Sequence, residues 1–304
     1  MGRRLEILCI LMLLMSGCSV SREQRKILVG YPALQEAVKR PTSGEVRDDR
    51  QSKDGSLLPP THVNQAEALQ FVPATIQYGA PRPIVDSVGW VFGIPRRILL
   101  WDQRVDDHHV SDATVTAVHE YLAINRIHGA AIRVNQYAPL DEWRRLRQNP
   151  HVGAGWRYTY GLGHWVAYTL FPGRIWGGDW YNPYSNTVNL YSDVPQLGLV
   201  EAAYAKDIAS QEFPGTYAAV QALPIVAMWH ETKATNDVIS YIALNGTIDE
   251  LEKTKRLLYA RYGMTVGGEI GSLQTAGGLI VGNVYQVVGA VAGHAYAGLE
   301  SSGM

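Results

Sequence analysis

The spacing of apolar residues along the chain switches between a helical period and a strand period. Residues 82–94 (RPIVDSVGWVFGI) carry apolar positions at helical spacing up to Pro95. Ser111 or Asp112 then precedes Val115, Val118 and Leu122 at i, i+3 and i+7, which predicts a capped helix to about Asn125 with that stripe buried. Residues 130–137 (AAIRVNQY) alternate as a strand does, and 140–147 (LDEWRRLR) read as a short helix. Trp156 to Phe171 is aromatic and β-branched, a strand-like composition, and Pro172-Gly173 turns it back toward Ile175. A second alternating stretch, Asn186 to Ser192, is followed by helical patterns at about 196–210, 215–229, 231–244 and 247–262. Strands come early and helices late, so the predicted class is α+β, a small mixed sheet followed by a helical bundle.

The two ends break this pattern. Arg3 and Arg4 precede an uncharged run, Ile7 to Gly17, that is too short to span a bilayer and ends Leu14-Met15-Ser16-Gly17-Cys18. Residues 1–17 therefore read as a bacterial secretion signal. Gly17 before Cys18 resembles the lipobox of bacterial lipoproteins. That resemblance implies palmitate-type acylation of Cys18 and a lipid anchor in the cell envelope, and Ser19 supplies no inner-membrane retention signal, which places the protein on the outer membrane facing the periplasm. A plain cleaved signal or an uncleaved anchor fits the same residues. Residues 40–62 mix charges with Ser, Gly and Pro and have little to bury, so 18–62 reads as a lipidated N-terminus and tether, with a folded domain over 63–262.

In the last segment, 263–304, no Asp, Glu, Lys or Arg lies between Glu269 and Glu300. Gly278, Gly282, Gly289 and Gly293 share one side of a predicted helix, which suits close packing on another helix, in self-association or within the chain. Asn283, Gln286 and His294 disfavour a membrane span. The formal net charge of −1 leaves no electrostatic footprint for nucleic acid. Cys9 and Cys18 are the only cysteines, so the mature chain has no disulfide and no thiolate metal site.

Candidate chemistry concentrates after residue 181. Asn182-Pro183-Tyr184-Ser185-Asn186-Thr187, Leu190-Tyr191-Ser192-Asp193-Val194-Pro195 and Val200-Glu201-Ala202-Ala203-Tyr204-Ala205-Lys206-Asp207 resemble a family of uncharacterised bacterial lipoproteins whose last segment reads H-E-x-x-H-A-K-D. The likeness runs roughly from Pro83 to Tyr241 and includes the Gly-rich tail. Over a much shorter stretch the region resembles gluzincin zinc metallopeptidases, which implies a zincin-like core. That second resemblance matches Glu201 to the general base and Glu231 to the third metal ligand, with Val200 and Tyr204 at the two histidine positions and Asp207 and Asp237 as candidate supporting acids. Thr235 stands where the supporting Asp belongs, and Asp237 points off that face.

Valine cannot ligate a metal, and a tyrosine phenol with a pKa near ~10 is a poor zinc ligand. The expectation is a degenerate peptidase-like scaffold without cofactor that binds an extended peptide or another envelope component, with the strand at 186–192 offering an open edge. The alternative enzyme is a zinc-dependent hydrolase with non-standard ligands, drawn from His230, Glu231 and the Asp102–His109 loop. A plainer reading makes Leu197, Leu199, Val200, Ala203 and Tyr204 the buried stripe of an ordinary helix, with Glu201 paired to Lys206 or Arg174. His119-Glu120 lacks a second histidine at position 123. The aromatic loop Gly177–Tyr184 has no phosphate-loop or serine-hydrolase spacing; it either caps the core or stacks on sugars or cell-wall peptide.

Overall fold

Three parallel strands and one antiparallel edge strand organise the chain. The computed structural model describes residues 72–274 and 279–302. Residues 1–17, read as a secretion signal, Cys18, the stretch to residue 62 read as a tether, and Gly278 lie outside the described residues. In chain order the elements are β1 (Thr75–Tyr78), α1 (Pro83–Leu100), α2 (Asp112–Ile124), β2 (Ala131–Val134) and α3 (Pro139–Gln148). There follow α4, a composite of Ala154–Trp156, a π-helical turn Arg157–Gly161 and Leu162–Leu170, then α5 (Gly173–Trp176), β3 (Trp180–Asn182) and β4 (Thr187–Leu190). The chain continues through α6 (Pro195–Ala209), α7 (Pro214–Val220), α8 (Pro224–Asn245), α9 (Ile248–Gln274) and α10 (Leu279–Ser301). The sheet order is β1-β2-β4-β3, with β1, β2 and β4 parallel and β3 antiparallel to β4. Parallel neighbours need long crossovers, and helices supply them here. The class is α+β, a small mixed sheet joined to a helical bundle.

The alternation in the strands sorts their two faces. Ile132, Val134, Val188 and Leu190 enter the main core with Val115, Val118 and Leu122 of α2, Val200 and Ala203 of α6, and Val238 and Leu258 of the later helices. The intervening Arg133, Thr187 and Asn189 are equally buried on the other face. There Arg133 pairs with Glu142 and Asp141 of α3, and Glu142 also accepts from Asn182 Nδ2 at 2.6 Å and Ser185 Oγ at 2.5 Å. A buried charge of this kind persists because each partner is hydrogen-bonded.

Several sequence-based expectations need correction. Pro95 does not end α1: the helix runs to Leu100 and stops at Trp101, whose φ is 54°. Residues 156–171 are helical rather than extended, because Trp165 and Tyr168 pack and hydrogen-bond onto the start of α3. One continuous helix, α8, replaces the break expected at residue 230, so His230-Glu231 lies inside it rather than opening it. The boundary at 262/263 falls within α9, and the tail is not a separate segment: Ala297 of α10 sits in the main core.

The glycine side also finds its partner inside the chain. A side chain at Gly289 would overlap the Gly263 carbonyl oxygen of α9, and one at Gly293 would overlap the Tyr259 carbonyl. These two glycines let α9 and α10 meet backbone to backbone and are not available to a second copy. Among the described residues no helix is long and apolar enough to cross a membrane.

Candidate functional site

Pro195 opens α6 with the fixed φ that suits a first turn. The helix then divides its residues between core and cleft. Val200 is fully buried in the main core, whereas Glu201 and Tyr204 line a cleft of about 410 Å³. Trp180 and Tyr181 of β3, Tyr184, Tyr160 and His164 give the cleft aromatic walls, and His230, Glu231 and Arg261 come from α8 and α9. Glu201 and Glu231, thirty residues apart in sequence, are therefore brought together, as the metallopeptidase resemblance implies.

What lies between them is a guanidinium. Arg261 Nη2 donates to Glu201 Oε1 at 2.9 Å, and its Nη1 donates to Glu231 Oε1. The Tyr204 hydroxyl donates to Glu231 Oε2, and the backbone N–H of Tyr181 donates to Glu201 Oε2 at 2.9 Å. All four carboxylate oxygens thus hold a donor. Burial lifts the Glu201 carboxyl to about 8 against the attraction of Arg261, because that one cation is shared with Glu231 while Asp179 adds further negative charge. Burial also raises the Tyr204 phenol well above its ordinary value, and the two glutamates add to the rise. The same carboxylates hold Arg261 charged against the opposing effect of burial.

Glu201 is therefore paired neither to Lys206 nor to Arg174. Lys206 binds Asp237 at 2.7 and 2.9 Å, and Tyr121 donates to the same acid. Arg174 holds Asp86. Asp207 accepts from His230 Nδ1 at 2.7 Å, from the Tyr217 hydroxyl at 2.6 Å and from Lys233. Those bonds overcome its burial and hold its pKa down to about 2. His230 stacks on Tyr204 with ring centroids 4.3 Å apart, so Asp207 orients a ring that in turn supports the Tyr204 phenol. Neither His119-Glu120 nor any residue of the 102–109 loop lines the cleft.

The 186–192 strand is not an open edge: β4 pairs with β2 on one side and β3 on the other. The edges of the sheet are β1 and β3; β3 is a three-residue strand whose short polar–aromatic sequence carries no clear strand signal, and its outward Tyr181 N–H is taken up by Glu201. The residue missed in the sequence is Arg261. Its only local signal is a lone cation in the apolar run Leu257-Leu258-Tyr259-Ala260-Arg261-Tyr262.

Zinc does not fit this residue set. Val200 belongs to the core, Tyr204 is a committed donor with a raised pKa, and both glutamates already share a cation. Among the described residues no group of three or more His, Cys, Asp and Glu side chains is arranged to hold a metal. Comparison with family models, with curated proteins and with solved structures finds no match to this chain.

The raised Glu201 value has a testable sign. An unfolded glutamate releases its proton near ~4.3, whereas the folded chain keeps it until about 8, so over that window the native state binds more protons and stability falls as pH rises. Glu201→Gln removes this contribution. Urea unfolding at pH 5 and pH 8 should show wild type losing more stability between the two than the variant; an equal loss in both would rule out Glu201 as the source.

Proposed function

We propose that this protein is a non-catalytic binding scaffold on a zincin-like core, anchored to the cell envelope through a lipid on Cys18 and held on the outer membrane facing the periplasm. The observation that carries the scaffold reading is the Arg261 bridge: an internal guanidinium occupies both acids, the one that a metallopeptidase would use as general base and the one it would use as zinc ligand. Arginine stays charged at any working pH, so this cation cannot leave, cannot exchange a water ligand and cannot generate hydroxide. The cleft retains aromatic walls beside the β3 edge. With the Tyr181 N–H taken by Glu201, an extended peptide or another envelope component lying along β3 would be held by stacking on the partly exposed rings of Trp180 and Tyr160 rather than by a full main-chain ladder.

Elemental analysis of the purified protein is the deciding measurement, and it should find no stoichiometric zinc. Zinc that is present and lost on Glu231→Ala would overturn the reading. A paired design sharpens the test. Tyr204→His should bind zinc poorly while Arg261 remains, and adding Arg261→Met should improve affinity by tenfold or more, about 1.4 kcal/mol, as the imidazole placed at 204 joins His230 and Glu231, which line the same cleft, in a three-ligand set. Equal affinity with and without Arg261 would remove the guanidinium from the argument. The anchor is tested separately: Cys18→Ser should abolish membrane partitioning, and unchanged partitioning would discard the lipid.

A further inference from the structure

A second cavity, of about 590 Å³, opens at the carboxyl ends of the parallel strands, where Gly79 follows β1 and Asn135 follows β2. His108, which also lines it, is tied to the end of β4 by its backbone N–H to the Tyr191 carbonyl at 2.9 Å. The carboxyl ends of parallel strands are where open sheets most often bind ligands, and the volume falls within the range of small-molecule sites.

The charges in this cavity are largely matched within the chain. Arg174 grips Asp86 through Nε at 2.5 Å and Nη2 at 2.9 Å, and its Nη1 donates to the Asn135 carbonyl at 2.7 Å. What remains unmatched is neutral. The Asn135 amide nitrogen donates to the His108 carbonyl at 2.7 Å and the carboxamide stands beside the His108 ring, but by geometry neither ring nitrogen of His108 nor the Asn135 side-chain oxygen completes a hydrogen bond. Burial lowers the His108 pKa, so its ring presents one N–H and one lone pair rather than a charge. Buried polar atoms in this state are costly, so a ligand that completed their bonds would recover that cost. His108 and Asn135 also have φ of 60° and 50°, in the left-handed region that Asn and His enter more readily than most residues. Beside them stands Trp90, 46% exposed, with the Arg97 guanidinium 4.5 Å from its ring centroid.

We propose that this cavity binds a saccharide. A sugar is uncharged, as the matched ions require. Its hydroxyls both give and accept hydrogen bonds, as the imidazole, the carboxamide and the Asp107 carboxylate require, and its C–H face packs on an indole. This site is independent of the Glu201 cleft and of the reading given to that cleft.

Calorimetry and saturation-transfer NMR on the full chain with N-acetylglucosamine and its β-1,4-linked dimer test the assignment. Saturable binding is expected. Trp90→Ala should weaken it about tenfold, the size of one lost ring contact. Asn135→Gly should weaken it too; glycine occupies that φ freely, and thermal unfolding of the variant separates loss of the sugar contact from loss of the Asn135 Nδ2 bond to the His108 carbonyl. Glu201→Gln should leave it unchanged. Absence of saturable binding at about 10 mM of either sugar, binding indifferent to Trp90→Ala and Asn135→Gly, or binding lost in Glu201→Gln alone would each overturn the proposal, the last by moving the sugar to the other cleft.

Discussion

Arg261→Met lowers the unfolding free energy by about 3–5 kcal/mol, the range seen when one partner of a buried ion pair is removed. The physical reason lies in what stays behind: Glu201 and Glu231 are both buried, and among the described residues Arg261 is the only cation that either of them contacts. Without it the remaining buried negative charge has no cation, and the donors Tyr204 and Tyr181 alone are left to hold the pair. At about 2–4 °C per kcal/mol for a chain of this size, the melting temperature should fall by roughly 10 °C. A triple variant separates charge from packing. Adding Glu201→Gln and Glu231→Gln to Arg261→Met should recover most of the loss, because a neutral network of similar shape carries no uncompensated charge. A loss below about 1 kcal/mol for the single variant, or no recovery in the triple, would mean that the bridge contributes little.

Gly289→Leu should be of similar severity for a different reason. The position offers no room even for a Cβ, since the obstacle is the carbonyl of Gly263 and not the end of a flexible side chain. Relief therefore requires α9 and α10 to move apart along their shared face, where Gly267 meets Tyr285 and Gly293 meets Tyr259 in the same way. Overpacking costs about 1–3 kcal/mol where side chains can adjust, and a backbone obstacle sets that range as a lower bound. Thermal unfolding and hydrogen exchange across 279–301 would report it. Protection unchanged in α10 would show that the hairpin does not depend on that contact.

How much of this was legible in the sequence depends on how local each determinant is. The α2 stripe and its Ser111 cap, the alternation of β2 and β4, and the close packing at Gly289 and Gly293 of α10 are each written within one element, and each reads correctly. The strand-like aromatics of 156–171 misled because their pattern answers to α3 and to the aromatic cluster around it, contacts that no local period reveals. At the site, proximity of Glu201 to Glu231 was legible through the resemblance, and the unsuitability of Val200 and Tyr204 followed from side-chain chemistry. The pairing of Glu201 was not. Its partner comes from α9, sixty positions onward, while the nearer cations Lys206 and Arg174 are drawn off by Asp237 and Asp86. Which strand forms the sheet edge was likewise invisible, because β3 is too short to show a period.

The end of α1 is closed by α10. His294 Nε2 lies 2.8 Å from the Leu99 carbonyl, one of the last carbonyls of α1, and its ring stacks on Trp101, the residue that terminates that helix, at a centroid distance of 3.8 Å. The two partners are 195 residues apart in the chain. Such a closure is entropically late: the loop it completes is nearly the whole described length, so it forms only after the intervening sheet and helices have drawn its ends together. During synthesis this second closure is absent until residue 294 has been added, and until then the carboxyl end of α1 is held by its own cap alone, in which the Trp101 N–H donates to the Arg97 carbonyl.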